Sequence, residues 1–140
     1  HVRSRRQRQM CIRDSIINMV EETIRTCAAQ GEKKVAVLAT AGTLRSGVYA
    51  QYADRYGITC TDIAEDDAAK VMDIIYAVKR ENRRDFPALL EMIDRYSRSA
   101  RVILACTELS CIPIGKRNAV DALKVLGTEA IRKCRGDVKL

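Results

Sequence analysis

From Ser15 onward the apolar residues fall into two alternating rhythms. Ile16, Val20, Ile24 and Ala28, with Ile17 and Cys27 beside them, recur at helical spacing and stop at Gly31, which predicts a helix there. Val35-Ala36-Val37-Leu38-Ala39-Thr40 follows with no polar alternation, the pattern of a strand buried on both faces. Ala41-Gly42-Thr43 breaks that run, and a helix is expected from about Leu44 to Tyr56, closed by Gly57. Ile58-Thr59-Cys60-Thr61 reads as a second, shorter strand.

The next helix is expected from about Asp66 to Arg80. Acids stand at its start, where the helix dipole favours them, and Val71, Ile74, Ile75 and Val78 form its inner face. Another follows, with Asp85 as the expected N-cap, Pro87 in the first turn, and Phe86, Leu89, Leu90 and Ile93 at helical spacing. Arg101-Val102-Ile103-Leu104-Ala105-Cys106 reads as a third buried strand, and a closing helix is expected near Asp121 to Cys134. Strands alternating with helices imply a parallel sheet covered on both sides, so the expected fold is a doubly wound α/β lobe.

Length and composition narrow the picture. The 140 residues suit one domain or part of one, and a hydrophobic fraction of 47% excludes a disordered chain. No apolar run approaches the roughly 20 residues of a membrane span. The net charge of +7 is unevenly placed, because residues 1–15 hold five arginines against Asp14 alone. That opening, HVRSRRQRQMCIRDS, has no apolar period. It reads as a disordered basic arm or as a non-native, linker-like segment, and it is set aside from the fold. The expected organisation is therefore residues 1–15 as this segment, 16–34 as a leading helix, 35–117 as the α/β lobe and 118–140 as a closing helix.

Six cysteines are scattered through helix and strand patterns, with no secretory signal, so free thiols in a reducing cytoplasm are expected. With no CxxC pair and His1 as the sole histidine, no metal site is expected.

Ligands of such sheets bind at the carboxyl ends of the strands. Two ends carry candidate chemistry. Thr40-Ala41-Gly42-Thr43 is a small-residue loop opening a helix: its amides and the Thr43 hydroxyl suit an anion, or else simply cap the helix. Cys106-Thr107-Glu108 follows the third strand: the thiol is either activated toward thiolate by a helix N-terminus or inert and buried. Lys79 is either a carboxylate partner or a solvated surface lysine.

The segments Leu38-Ala39-Thr40-Ala41-Gly42-Thr43, Ser46-Gly47-Val48-Tyr49 and Ile75-Tyr76-Ala77-Val78-Lys79 resemble the second lobe of the aspartate/glutamate racemase family. So do Val102-Ile103-Leu104-Ala105-Cys106-Thr107-Glu108-Leu109, which is similar to that family's GCTEL cysteine motif, and Val120-Asp121-Ala122-Leu123. The resemblance runs in order from about Ile16 to Cys134. It implies a cytoplasmic, cofactor-independent amino-acid racemase, a homodimer in its full-length form, acting on aspartate, glutamate or a similar small molecule. Two cysteines would face each other across the substrate Cα, one removing a proton as thiolate and the other delivering one. By the same resemblance Cys106 is the second of these thiols. Thr40, Gly42 and Thr43 bind a substrate carboxylate, Lys79 holds an acidic side chain, and Thr107 helps fix the substrate.

Ala105 departs from the family's glycine and Ser110 from a common proline. The family's first lobe, with its own cysteine, has no counterpart in this sequence, so the chain is expected to be a fragment carrying half an active site and inactive alone. Without that lobe Ile16, Val20, Ile24, Leu123, Leu126 and Ile131 are expected to be partly exposed. Decarboxylases and maleate isomerases of the same superfamily use related cysteine chemistry, and these motifs alone do not separate them from the racemases, although Lys79 favours a diacid substrate. A different reading is a non-catalytic anion-binding module with its arginine arm on nucleic acid. Against it, Lys and Arg alternate with Asp and Glu along the helices and leave no basic stripe, so no specific nucleic-acid partner is expected.

Overall fold

The apolar runs pair with one another, and the computed structural model, which describes residues 19–115 and 118–125, shows how. Helix α1 includes residues 19–29. After it come β1 (Lys34–Leu38), α2 (Ala41–Ser46), α3 (Val48–Arg55), β2 (Thr59–Thr61) and α4 (Glu65–Glu81). The chain continues through α5 (Pro87–Tyr96), β3 (Arg101–Leu104), α6 (Thr107–Ser110) and β4 (Ala119–Asp121), with residues 122–125 helical. The four strands form one sheet in the order β2-β1-β3-β4, every pairing parallel.

The two central strands show why both faces must be covered. Successive side chains of a strand point to opposite faces. Val35, Val37 and Ile103 therefore enter one apolar layer with Val20, Ile24 and Cys27 of α1 and Tyr49 and Ala53 of α3. Leu38, Val102 and Leu104 enter the other with Val71 and Ile75 of α4 and Leu89 and Ile93 of α5. This is the doubly wound α/β arrangement that the unbroken apolar runs predict.

Several boundaries differ from the sequence reading, each for a local reason. The helix expected over Leu44–Tyr56 is two helices, because Gly47 adopts a left-handed conformation (φ 68°) that ends α2 and begins α3. Phe86, not Asp85, is the N-cap of α5: Pro87 occupies the first turn, and the residue before a proline is driven out of helical conformation. The third strand ends at Leu104, so Ala105 and Cys106 lie beyond it. Residues 119–121, expected to lead into a closing helix, instead form a fourth strand paired with Val102, Ile103 and Leu104. The sheet thus continues past the lobe boundary expected at residue 117. Of the expected closing helix only 121–125 falls among the described residues, and of these 122–125 are helical.

Val20 and Ile24, expected to be partly exposed, are fully buried, because the α1 face lies directly on β1. Leu123 is exposed at 37%, as expected. Ile16, Leu126, Ile131, Cys11, Cys134 and the basic segment 1–15 lie outside the described residues.

Candidate functional site

The geometry begins with a register. β1 and β3 are neighbours with Leu38 opposite Leu104, and the Ala105 N–H donates to the Leu38 carbonyl at 2.9 Å. Thr40 and Cys106, each two residues further on, therefore leave the sheet side by side at its carboxyl edge.

Cys106 is the N-cap of α6, in extended conformation, and half-buried. Its S–H donates to Glu108 Oε2 at 2.9 Å. Lys79, in the last turn of α4, places its ammonium 3.5 Å from the other oxygen, Glu108 Oε1. Sulfur, carboxylate and ammonium form a chain of three groups from three points of the sequence. Glu108 sits below the usual carboxylate range, first because it accepts from Cys106 and also because Lys79 is beside it.

At Cys106 the pull of the helix start is opposed by two other influences. Burial and then the Glu108 carboxylate push the thiol above its ordinary value, outweighing the amides of Glu108 and Leu109, which act the other way. The reason is local: α6 is only four residues long, and its second residue returns an anion onto the sulfur.

In the threonine loop, Thr40 caps α2, its hydroxyl accepting from the Thr43 N–H at 3.3 Å and donating to the Thr43 hydroxyl at 3.0 Å. The Ala41 N–H is directed at the Met72 sulfur at 3.3 Å. Two of the amides expected to receive an anion, those of Ala41 and Thr43, are thus engaged within the protein, and Thr40 is the capping residue. Gly42 is exposed in the first turn of α2. Thr43 borders a cavity of about 310 Å³ together with Tyr49, Cys60 and Asp62. Among the described residues no hydrogen bond or ion pair joins Thr43 to Cys106 or Lys79. Thr107 opens α6 with its side chain exposed.

Two contributors were missed in the sequence. Glu108 lies inside the motif, and its signal was its spacing: an acid at the second helical position folds back onto the N-cap side chain. Asp121, at the end of β4, accepts from the Ser110 hydroxyl at 2.8 Å and from the backbone N–H of Leu123 at 3.0 Å and Lys124 at 3.3 Å. Ser110, where the family commonly has proline, thereby ties α6 to β4. No short-range pattern marks a contact across eleven residues.

The remaining described cysteines are also free thiols. Cys27 is in the core, where burial pushes it up to about 11, and burial likewise raises Cys60. Cys111 is exposed on the C-terminal side of α6. Among the described residues no acid, cysteine and histidine cluster suits a metal ion, and no helix is long and apolar enough to cross a membrane.

The sequence matches the family model described as Asp/Glu/Hydantoin racemase over residues 9–131. In fold the chain is similar to the aspartate racemase of Picrophilus torridus, with a TM-score of 0.68 at 24% identity, covering 82% of this chain and 51% of that one. It is also similar to an aspartate racemase homologue from Pyrococcus horikoshii OT3, with a TM-score of 0.70 at 19% identity, covering 81% of this chain and 54% of that one. The chain spans about half the length of both structures.

Proposed function

Since this chain belongs to the Asp/Glu/Hydantoin racemase family, we propose that it supplies one thiol, Cys106, to a site that moves a proton at the Cα of an acidic amino acid. The observation that carries this reading is the Cys106–Glu108–Lys79 chain at the carboxyl edge of the sheet. A protonated thiol beside a carboxylate is equipped to deliver a proton, and an exposed ammonium next to it is equipped to receive an acidic side chain.

In the proposed cycle the S–H bond of Cys106 breaks as a C–H bond forms on one face of the planar, carbanion-like Cα, and the electron pair stays on sulfur. The proton lost by the substrate leaves from the opposite face to the thiolate of a second cysteine, forming its S–H bond. In the reverse direction Cys106 is the base. The amides of Glu108 and Leu109 lower the proton affinity of the sulfur and so favour its anion. Lys79 meets the distal carboxylate, and Thr40, Gly42, Thr43 and Thr107 line the approach to the α-carboxylate. No cofactor is needed for this proton transfer.

Cys27 is sealed in the core, Cys60 stands on β2, and Cys111 follows Cys106 on the same short helix. Among the described residues none of these is a thiol facing Cys106 across a substrate, and on this reading the chain alone binds an acidic amino acid without inverting it. The test is to incubate the purified chain with each enantiomer of aspartate and glutamate in D₂O and follow the Cα proton by NMR. Ligand line broadening that disappears in Lys79→Met, with no inversion, is expected. Inversion at enzyme-like rates would refute the one-thiol reading, and an absence of binding would refute the substrate class.

A further inference from the structure

Glu108 is given no substrate contact in the function proposed above, yet it bridges the two groups that are. Its Oε2 accepts the Cys106 S–H at 2.9 Å, and its Oε1 stands 3.5 Å from the Lys79 ammonium. Its carboxyl sits below the usual carboxylate range, so it is an anion at neutral pH. With its own backbone N–H as a further donor, it still has room among its roughly four acceptor positions. Among the described residues no second cation pairs with it. The Glu108 side chain is 21% exposed and that of Lys79 55%, so a solute from solvent can reach both ends of the ion pair. An acidic amino acid carries the complementary pair, an ammonium and a distal carboxylate a few bonds apart.

We infer that Glu108 accepts the α-ammonium of the substrate and is the residue that restricts the site to amino acids. This rests on the substrate class proposed above and adds a second point of recognition to it. To pass a proton to Cα the sulfur lies against that carbon, and the ammonium nitrogen is one bond of about 1.5 Å away from it. A carboxylate oxygen 2.9 Å from the sulfur is within hydrogen-bond reach of a nitrogen turned toward it. Lys79 then meets the distal carboxylate while Glu108 meets the ammonium, and the four charges alternate in sign. The ammonium replaces the S–H as donor to Oε2, and the Cys106 S–H, released from that contact, turns to Cα with its proton in place. The Glu108 anion also favours the charged form of the amine. An ammonium withdraws electrons from the carbon that loses its proton. A diacid without an amino group brings Glu108 no donor and sets its own negative charge beside it. The contact therefore favours amino-acid chemistry over the decarboxylase and maleate isomerase chemistry that the motifs alone leave open.

The test is a calorimetric titration of the purified chain with three ligands. Aspartate carries the ammonium, malate has a hydroxyl in its place, and succinate has only hydrogen there. Aspartate is expected to bind about tenfold or more tighter than malate or succinate, the scale of a hydrogen bond to a charged group. Glu108→Gln keeps the size of the side chain and removes its charge. It is expected to erase that preference, with aspartate falling to the succinate level and succinate binding no worse than to the parent. A purely structural Glu108 would instead weaken all three ligands alike, which would overturn the inference. So would a preference for aspartate that survives in Glu108→Gln. In the parent alone, succinate binding as tightly as aspartate would overturn the ammonium contact while leaving the diacid reading standing. If none of the three binds the parent, the contact and the reading beneath it both fall.

Discussion

Removing the Asp67 carboxylate is expected to destabilise the fold in a way that depends on pH. Asp67 is only 3% exposed in the first turn of α4. It accepts from Arg95 of α5 at 2.7 and 3.0 Å and from the Tyr96 hydroxyl at 2.6 Å. That hydroxyl in turn accepts the Ala64 N–H at 3.1 Å, tying the start of α4 to the end of α5. Arg95 first and Tyr96 next hold the Asp67 carboxyl at about 2, against an ordinary 3.8. By linkage a lowering of that size corresponds to about 2.4 kcal/mol. The Arg95 side chain is 42% exposed and so partly screened by water, which brings the expected loss in Asp67→Ala to ~1–2 kcal/mol. The sign follows from the direction of the shift. A depressed acid contributes its full stability above its unfolded value of 3.8 and loses it as pH falls through about 2. Urea unfolding followed by circular dichroism should show the variant weaker by that amount at neutral pH, with Tm lower by ~3–8 °C. The gap between the two proteins should close as the medium is acidified toward the folded value. A variant as stable as the parent at neutral pH would refute the reasoning. So would a gap that persists unchanged into strong acid, which would assign the loss to packing instead of charge.

Three further outcomes are expected. Gly47→Ala places a side chain at φ 68° with no atom within 4 Å of the new Cβ, so its cost is backbone strain alone, ~1–2 kcal/mol in chemical denaturation. Parent-like stability there would contradict the left-handed junction between α2 and α3. Asp121→Ala removes the acceptor shared by Ser110, Leu123 and Lys124 and should cost ~1–2 kcal/mol, with faster amide exchange at Leu123 and Lys124. Unchanged exchange at those amides would argue against the cap. Leu104→Ala empties a fully buried position of a central strand and should cost about 2–5 kcal/mol, and a loss well below that would place Leu104 outside the core.

The sheet was legible where burial alone decides structure. Val35–Leu38 and Val102–Leu104 carry no polar position, and only a central strand covered on both faces accommodates that. β4 was hidden because Ala119-Val120-Asp121 is short, and its burial comes from pairing with β3 instead of from its own apolar content. The break at Gly47 was masked by apolar residues at helical spacing on both sides of it. Within the site, the Cys106 position followed from the motif and the strand end, whereas its protonation state did not. A helix start argues for thiolate, whereas burial of the sulfur and then the side-chain rotamer that returns Glu108 to it push the other way. Val20 and Ile24 were misjudged because a helix face expected to meet another lobe packs on its own sheet.

The most direct test of Cys106 as a substrate-facing thiol is its modification rate by a bulky disulfide reagent, mapped to the Cys106 peptide, with and without saturating aspartate. The account predicts slow modification at neutral pH, because burial and the Glu108 carboxylate both raise the thiol. It further predicts near-complete protection by aspartate, which is lost in Lys79→Met. Modification as fast as that of free cysteine, indifferent to aspartate, would contradict it.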